Sequence, residues 1–418
     1  MLVPEHLRLG TWDLLGSWSA APSSQVESPL ALQLVHEAAL CVTGVRQGRS
    51  LSQRGFELAN GLPFVAADTA IHDLLDAHTI KDARRLQVAL GLIRRTRGHF
   101  RSLRLAIDPH RIRSWSQRQM RRHRSNHHQE QTAHKMAQTF FVVDADTAQP
   151  VCLTTATASR TVTQATPDLL DLAGSILQPK QASPPALVLA DAEHFSAELI
   201  DEVRQRQGFD LLVPMPNRVS LRKQLAAWPH ERFVRRWAGF ATAKVALQRR
   251  PELGPLYQFV QRCGEIPDQY EYKAFVSTTD RDEVTALTDD FPSRWHVEQF
   301  FDADQALGWK RAGTLNLNVR YGQMSLALVA QAALHQWRQR LGEPFCRWEA
   351  DQISKKIFGG FDGDIRVHDD TIIVTYYNAP EAQKLQAHYQ DLPAKLKAEG
   401  VDPHIPWLYN FQLDFRFK

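Results

Sequence analysis

Three acidic residues stand where a chain could gather oxygen ligands. Asp108 ends the apolar run LRLAI (103–107), and Asp191 ends ALVLA (186–190). Glu298 lies 107 positions beyond Asp191, in SRWHVEQFF (293–301). Hard divalent cations such as Mg2+ prefer carboxylate oxygens and keep several waters. Two such ions can activate an attacking oxygen and stabilise a leaving oxygen at a phosphodiester. Carboxylates at strand ends are also common structural features, so position alone does not choose between the two roles. Arg294 and Glu298 are four apart and share one face of a helix. Trp295 and Phe301 lie round the other side and read as core. The plainer account of Arg294 and Glu298 is a surface ion pair on an amphipathic helix.

Bulk properties narrow the class. The chain has 418 residues, room for two or three domains, and 43% hydrophobic content, ordinary for a globular protein. No run approaches 18 apolar residues, so no membrane span is expected, and the N-terminal stretch does not read as a signal peptide. Cys41, Cys152, Cys263 and Cys346 are scattered, without zinc spacing or a disulfide framework, which suits a reducing cytoplasm. The net charge is only +4, but the basic residues cluster, and clustering matters more than the sum for nucleic-acid binding.

The elements that would position the acids follow from pattern. Residues 1–30 read as a loose lead-in. Helical units follow to about residue 100, among them 52–60, 68–76 and 80–97. The last sets Leu86, Leu90 and Ile93 against Arg84, Arg85, Arg94, Arg95 and Arg97, which fits either a DNA-binding bundle or a plain helical domain. A basic tract runs from Arg111 to Gln129 with six arginines and no acid. It reads either as a flexible DNA-contacting loop whose arginines meet phosphates without reading sequence or as a simple solvated loop. Trp115 within it would stack on a base or pack on the sheet. TFFVV (139–143) and VCLTTATA (151–158) flank a polar turn and read as a hairpin. A helix 166–177, a strand 186–190, a helix 196–206 and a strand 209–214 follow, giving a mixed α/β sheet with Asp108 and Asp191 at strand ends, where such sheets gather ligands. Residues 215–272 look irregular and β-leaning. A buried apolar helix is expected over 321–341. The tail reads as a hairpin (365–377), one helix (380–399) and a last strand (407–417). Asp144 and Asp146 also follow a strand and compete with Asp108, although Asp is favoured in turns for local hydrogen bonding.

The combination LAID108, FFVVDADTAQPVCLTT, VLAD191AEHF and RWHVE298QFF resembles the bacterial insertion-sequence transposases with an Asp-Asp-Glu triad, over roughly residues 100–340. The resemblance implies an RNase H-like core in which a β-rich insertion separates the second Asp from the Glu. It places domains at 1–100 (helical, DNA-binding), 101–345 (catalytic, insertion at 215–272) and 346–418 (α+β). It implies that Asp108, Asp191 and Glu298 are catalytic and hold two Mg2+ ions, with Mn2+ substituting. It favours Asp108 over Asp144 or Asp146, because the family's first Asp precedes the hairpin. His194 is read as structural or substrate-contacting rather than a metal ligand. The implied activity is cleavage of double-stranded DNA at element ends and strand transfer into target DNA, by a homodimer on DNA, in the cytoplasm and associated with the nucleoid. One branch of the family carries Tyr-x2-Arg-x3-Glu-x6-Lys on the Glu helix. Here those positions are Phe291, Arg294, Glu298 and Gln305, with Lys310 nearby. Arg294, Gln305, Lys310, Arg111, Arg113, Arg118, Arg121 and Arg122 are the expected DNA contacts. Two rivals remain: a transposase-derived DNA-binding protein without catalysis, and a metal-dependent nuclease on the same fold.

Overall fold

A computed structural model describes residues 1–19, 27–42, 68–101, 103–114, 122–124, 133–157, 159–178, 184–309, 314, 316–359 and 362–418. The expected helix over 52–60, Trp115, Arg118, Arg121 and Lys310 lie outside the described residues. The chain divides into two compact units: Met1–Arg94 with Ile112–Arg118 and Phe301–Lys418, and Arg95–Arg111 with Gln119–Phe300.

The unit containing residues 119–300 is built on one mixed sheet. Its strands are β1 (Arg104–Arg113), β2 (Arg122–Arg124), β3 (Ala133–Asp144), β4 (Gln149–Thr157), β5 (Ala186–Ala190), β6 (Phe209–Pro214), β7 (Val234–Trp237), β8 (Phe240–Leu247), β9 (Leu256–Cys263) and β10 (Glu271–Ser277). They lie in the order β2-β3-β1-β5-β6-β10-β9-β8-β7, with β4 paired to β3. β1, β5 and β6 are parallel to one another. Their cores are near-continuous apolar runs because strands at the centre of a parallel sheet are buried on both faces. β3 and β4 form the expected antiparallel hairpin. The helix Val162–Leu177 starts at Thr161, whose hydroxyl accepts from the Gln164 N–H while the Gln164 side chain accepts from the Thr161 N–H. Ser196 caps the helix Ala197–Gln205 by accepting from the Leu199 N–H.

The segment 215–272 is more regular than its sequence suggests. After the helix Val219–Ala226, strands β7 to β10 pair antiparallel and continue the same sheet from the β6 edge. Leu225, Phe233, Ala241, Ala243, Val260 and Ala274 form its core. Small alanines supply much of that core, so the alternation of large apolar residues that marks a strand is weak in the sequence.

The other unit is organised on the helix Leu317–Leu341, buried around most of its circumference, as a helix apolar on all sides must be. Gly322 permits its close approach to the helix Asp68–Ala77: a Cβ there would lie 2.7 Å from Leu75 Cδ2. Residues 1–19 are not a loose lead-in. They form helices Val3–Arg8 and Thr11–Ser19, with Leu2, Leu9, Leu14, Leu15 and Trp18 buried. Glu5 and Arg8 are satisfied internally: Glu5 is buried, with its Oε1 2.7 Å from Arg8 Nη1 and its Oε2 2.7 Å from the donating Gln336 Nε2. Arg94 corrects the reading of the helix Ile80–Thr96. It is buried on the apolar side, where Nη2 donates to Gln331 Oε1 at 3.0 Å. Gln331 Nε2 donates in turn to Asp304 Oδ2 at 3.0 Å, and Arg338 Nη1 donates to Asp304 Oδ1 at 2.8 Å.

The tail forms a small sheet of β11 (Asp362–His368), β12 (Thr371–Tyr377) and β13 (Gln412–Phe417), in that order. The single expected helix is two, Ala382–Tyr389 and Leu392–Ala398. Asp391 between them adopts φ 54°, and Pro393 has no N–H with which to continue the first helix. Among the described residues no helix is long and apolar enough to cross a membrane.

The buried Asp304 supplies a stability test. Asp304→Ala leaves the Arg338 charge without its buried partner and is expected to cost about 3–5 kcal/mol. Chemical denaturation of the two proteins measures this; a loss below about 1 kcal/mol would show that the network is not a stabilising contact.

Candidate active site

The ladder between β1 and β5 brings two of the acids together. Ile107 pairs with Ala190 in parallel register. The next residue on each chain is Asp108 and Asp191, so the two carboxyls stand side by side at the end of that ladder. Pro109 cannot donate to a neighbouring strand, and β1 runs on to Arg113 without β5.

Asp191 is held by its own turn. Its Oδ1 accepts from the Glu193 N–H at 3.0 Å and from His194 Nδ1 at 2.7 Å. His194 is itself buried, which fixes the orientation of the carboxylate. Burial works to raise the Asp191 pKa, but the His194 and Glu193 hydrogen bonds, aided by Arg294, outweigh it and hold Asp191 below the usual carboxylate range.

Glu298 comes in on the helix His296–Asp304, in its first turn. Phe300 packs edge-on against Phe141 of β3, with ring centroids 5.5 Å apart. His296 Nδ1–H donates to the carbonyl of Ala145 in the β3–β4 turn. Val297, Phe300, Phe301 and Asp304 are the buried stripe, at the i, i+3, i+4, i+7 spacing of one helical face. Trp295 is two residues before that stripe begins and falls on the far side. It is 58% exposed, so the expectation that it anchors the helix in the core is wrong.

Arg294 links the acids. Its Nη1 lies 3.8 Å from Asp108 Oδ1 and its Nη2 3.5 Å from Glu298 Oε1. The pair Arg294–Glu298 is therefore real, but it is part of a larger charge group. Asp108 carries the strain of that group. Burial first, then the negative charges of Asp191 and Glu298, push its pKa up to about 7, against the opposing pull of Arg294 and Arg111.

Asp144 and Asp146 do a different job. Asp144 is buried and accepts from the N–H groups of Arg101, Asp146 and Thr147 and from the Thr147 hydroxyl, at 2.7–3.1 Å. Asp146 binds Arg104, at 2.6 Å from Nη2. Arg104 is four residues before Asp108 on β1, roughly 13 Å along an extended strand. Both acids thus fix the hairpin turn, away from Asp108.

Of the expected phosphate contacts, Arg111 and Arg113 are on β1 rather than in a loop. Arg111 bonds Glu193 and donates from Nε to Gln138 Oε1 at 3.1 Å. Arg122 lies on β2. Phe291 packs edge-on against Phe275 at 4.8 Å. Gln305 follows the Glu298 helix in a 3-10 turn that Gly308 closes with φ 104°. Gln138 was not singled out from sequence; a glutamine within an apolar strand run carries no signal that it will hold an arginine next to an acid.

The donor chemistry of Asp108, Asp191 and Glu298 fits a hard divalent cation: all are carboxylates, and Asp108 is destabilised as an anion by the other two. Their placement is only part of the way there. Among the described residues no group of three His, Cys, Asp or Glu side chains is gathered closely enough to hold a metal ion, and Arg294 stands between Asp108 and Glu298.

The charge group makes a pH prediction. Asp108 has a folded pKa of about 7 against 3.8 for the free side chain. The folded state therefore binds the extra proton between those values, and this stabilising contribution is complete below the lower one and lost as pH rises through the higher. Without added metal, unfolding free energy measured from pH 4 to 8 is expected to fall less steeply in Asp108→Asn than in the wild type. Identical slopes would contradict the perturbed Asp108.

No curated protein matches the chain. The solved cryo-EM structure of the piggyBac transposase synaptic complex with hairpin DNA is similar at 12% identity and a TM-score of 0.44, over 85% of this chain and 78% of that one; that likeness is too loose to argue from. Residues 99–331, more than half of the sequence, match the family model described as Transposase DDE domain, and the chain belongs to that family.

Proposed function

We propose that this protein is a DNA transposase that cleaves double-stranded DNA at the ends of its element and joins the freed 3′ ends to target DNA. The observation that carries the reading is the charge group: Asp108 and Asp191 follow the end of one strand ladder, and Arg294 lies 3.8 Å from Asp108 and 3.5 Å from Glu298, within the span of the family match. The parallel centre of the sheet, with acids just past the end of the β1–β5 ladder, supports an RNase H-like core.

Asp108, Asp191 and Glu298 are the residues that would hold two divalent ions, Mg2+ or, in its place, Mn2+. When bound, such ions supply Lewis-acid stabilisation of the attacking and leaving oxygens of an in-line displacement. The chain's own residues do the rest. His194 keeps the Asp191 carboxylate oriented. Arg294, on the helix turn before Glu298, is placed to exchange a carboxylate for a DNA phosphate, since a guanidinium matches both geometries. In cleavage, water attacks the phosphodiester and releases a 3′-hydroxyl. In transfer, that hydroxyl attacks a target phosphodiester, forming one bond as the other breaks. Arg111, Arg113, Arg118, Arg121, Arg122, Gln305 and Lys310 are proposed to contact the DNA backbone, and paired ends are proposed to be held by a homodimer. The domain assignment 1–100, 101–345 and 346–418 stands as part of this proposal.

A second reading, a DNA-binding protein without catalysis, draws on two observations. Arg294 is engaged by Asp108 and Glu298, and the position expected to be Tyr is Phe291, which serves packing.

A nicking assay on supercoiled DNA carrying the element ends, with Mg2+ or Mn2+, separates the readings. The transposase predicts metal-dependent nicking that Asp191→Ala and Glu298→Ala reduce by about 100-fold or more, with DNA affinity kept within a few-fold. DNA binding with no nicking under either ion would support the second reading. Nicking without dependence on end sequences, and with no joined product, would indicate a nuclease instead.

A further inference from the structure

β11 is the outermost strand of the small sheet, and it is exposed along most of its length. Its seven residues pair in unbroken register with β12, from Asp362↔Tyr377 to His368↔Thr371. It contains neither a proline nor a bulge, two devices by which proteins blunt an open edge. An edge of this kind is a template for another strand.

The sequence of β11 specifies which strand. DGDIRVH (362–368) complements itself when reversed. Turned antiparallel about Ile365, Asp362 meets His368, Asp364 meets Arg366, Gly363 meets Val367, and Ile365 meets its own copy. A shift of two residues in one direction sets Arg366 against Arg366, and in the other Asp364 against Asp364. Like charges directly opposite are unfavourable in a sheet, so one register is selected.

The apolar residues agree. Ile365 and Val367 are 44% and 55% exposed. They share a face with their β12 neighbourhood, where Val367 pairs with the buried Ile372 and Gly363 with the buried Tyr376. The apolar face of the sheet therefore runs out to the edge without cover. The charges are also preset: Arg366 Nε lies 3.1 Å from Asp364 Oδ1, and Tyr377 donates to Asp364 Oδ2 at 2.6 Å.

We propose that β11 pairs with β11 of a second copy of this chain, antiparallel about Ile365, to form a six-stranded sheet across a twofold axis. Such a contact is isologous: each patch is complementary to itself. Asp364 and Arg366 of one copy then face Arg366 and Asp364 of the other, and four charges alternate in sign. A single strand pair is small beside the roughly 1,200 Å² of a stable interface, so the dimer forms and dissociates with concentration. This inference does not depend on the catalytic reading.

Sedimentation velocity of the full chain, without DNA and across a range of concentrations, tests it. The wild type is expected to show a monomer–dimer equilibrium. Arg366→Asp sets the introduced carboxylate against Asp364 of the second copy and is expected to weaken association by about tenfold or more; Asp364→Arg does the same by setting two guanidinium groups face to face. The double exchange Asp364→Arg/Arg366→Asp restores association. Ile365→Lys, at an exposed position, abolishes it, and carries the test if a charge variant fails to fold. A chain that stays monomeric at every concentration overturns the proposal, and so does a dimer that Arg366→Asp or Ile365→Lys leaves unchanged.

Discussion

One guanidinium facing several carboxylates is the constraint on which the site depends. The charges of Asp191 and Glu298 disfavour a further negative charge on Asp108. Arg294 lies within 4 Å of Asp108 and Glu298 and helps lower the pKa of Asp191. Burial is the first cause of the Asp108 pKa near 7, and the charges of Asp191 and Glu298 add to it against the pull of Arg294 and Arg111. The arrangement is held together by the sheet rather than by its own electrostatics. Perturbed carboxyls of this kind gather at functional sites.

Each member of the group is held by contacts outside the group. Register between β1 and β5 sets Asp108 beside Asp191. A turn hydrogen bond and the buried His194 orient Asp191. Phe300 against Phe141, and His296 against the Ala145 carbonyl, bring the Glu298 helix to the hairpin. The turn that receives it is fixed by Asp144 and by the Asp146–Arg104 pair. The hairpin acids that resemble catalytic candidates in sequence are thus part of the support for the catalytic candidates themselves.

Much of the sheet was legible because parallel strands write themselves as apolar runs, and because an acid closing such a run is easily seen. Asp108 and Asp191 came from those two patterns, and the pairing of Arg294 with Glu298 from their i, i+4 spacing. Trp295 was misread because large aromatics suggest burial, whereas the phase of Val297, Phe300 and Phe301 decides which face is inside. Arg94 was misread for the opposite reason. A charged residue in an arginine-rich helix suggests solvent, and only a tertiary partner, Gln331, makes its burial tolerable. Residues 1–19 and 215–272 were underestimated where buried ion pairs and alanines replaced the expected large apolar residues. Gln331 and Gln336, the partners of Arg94 and Glu5, are far away in sequence, so no local pattern announces them.

The central claim is that Asp108, Asp191 and Glu298 act as one cation-binding centre. Mn2+ binding to the full chain, followed by the loss of the free-ion electron paramagnetic resonance signal, tests it most directly. The account predicts saturable binding that tightens as pH rises through about 7, where Asp108 loses its proton, and that weakens by about tenfold or more in Asp191→Asn and in Glu298→Gln. Mn2+ binding that is absent, or that neither substitution changes, would contradict it.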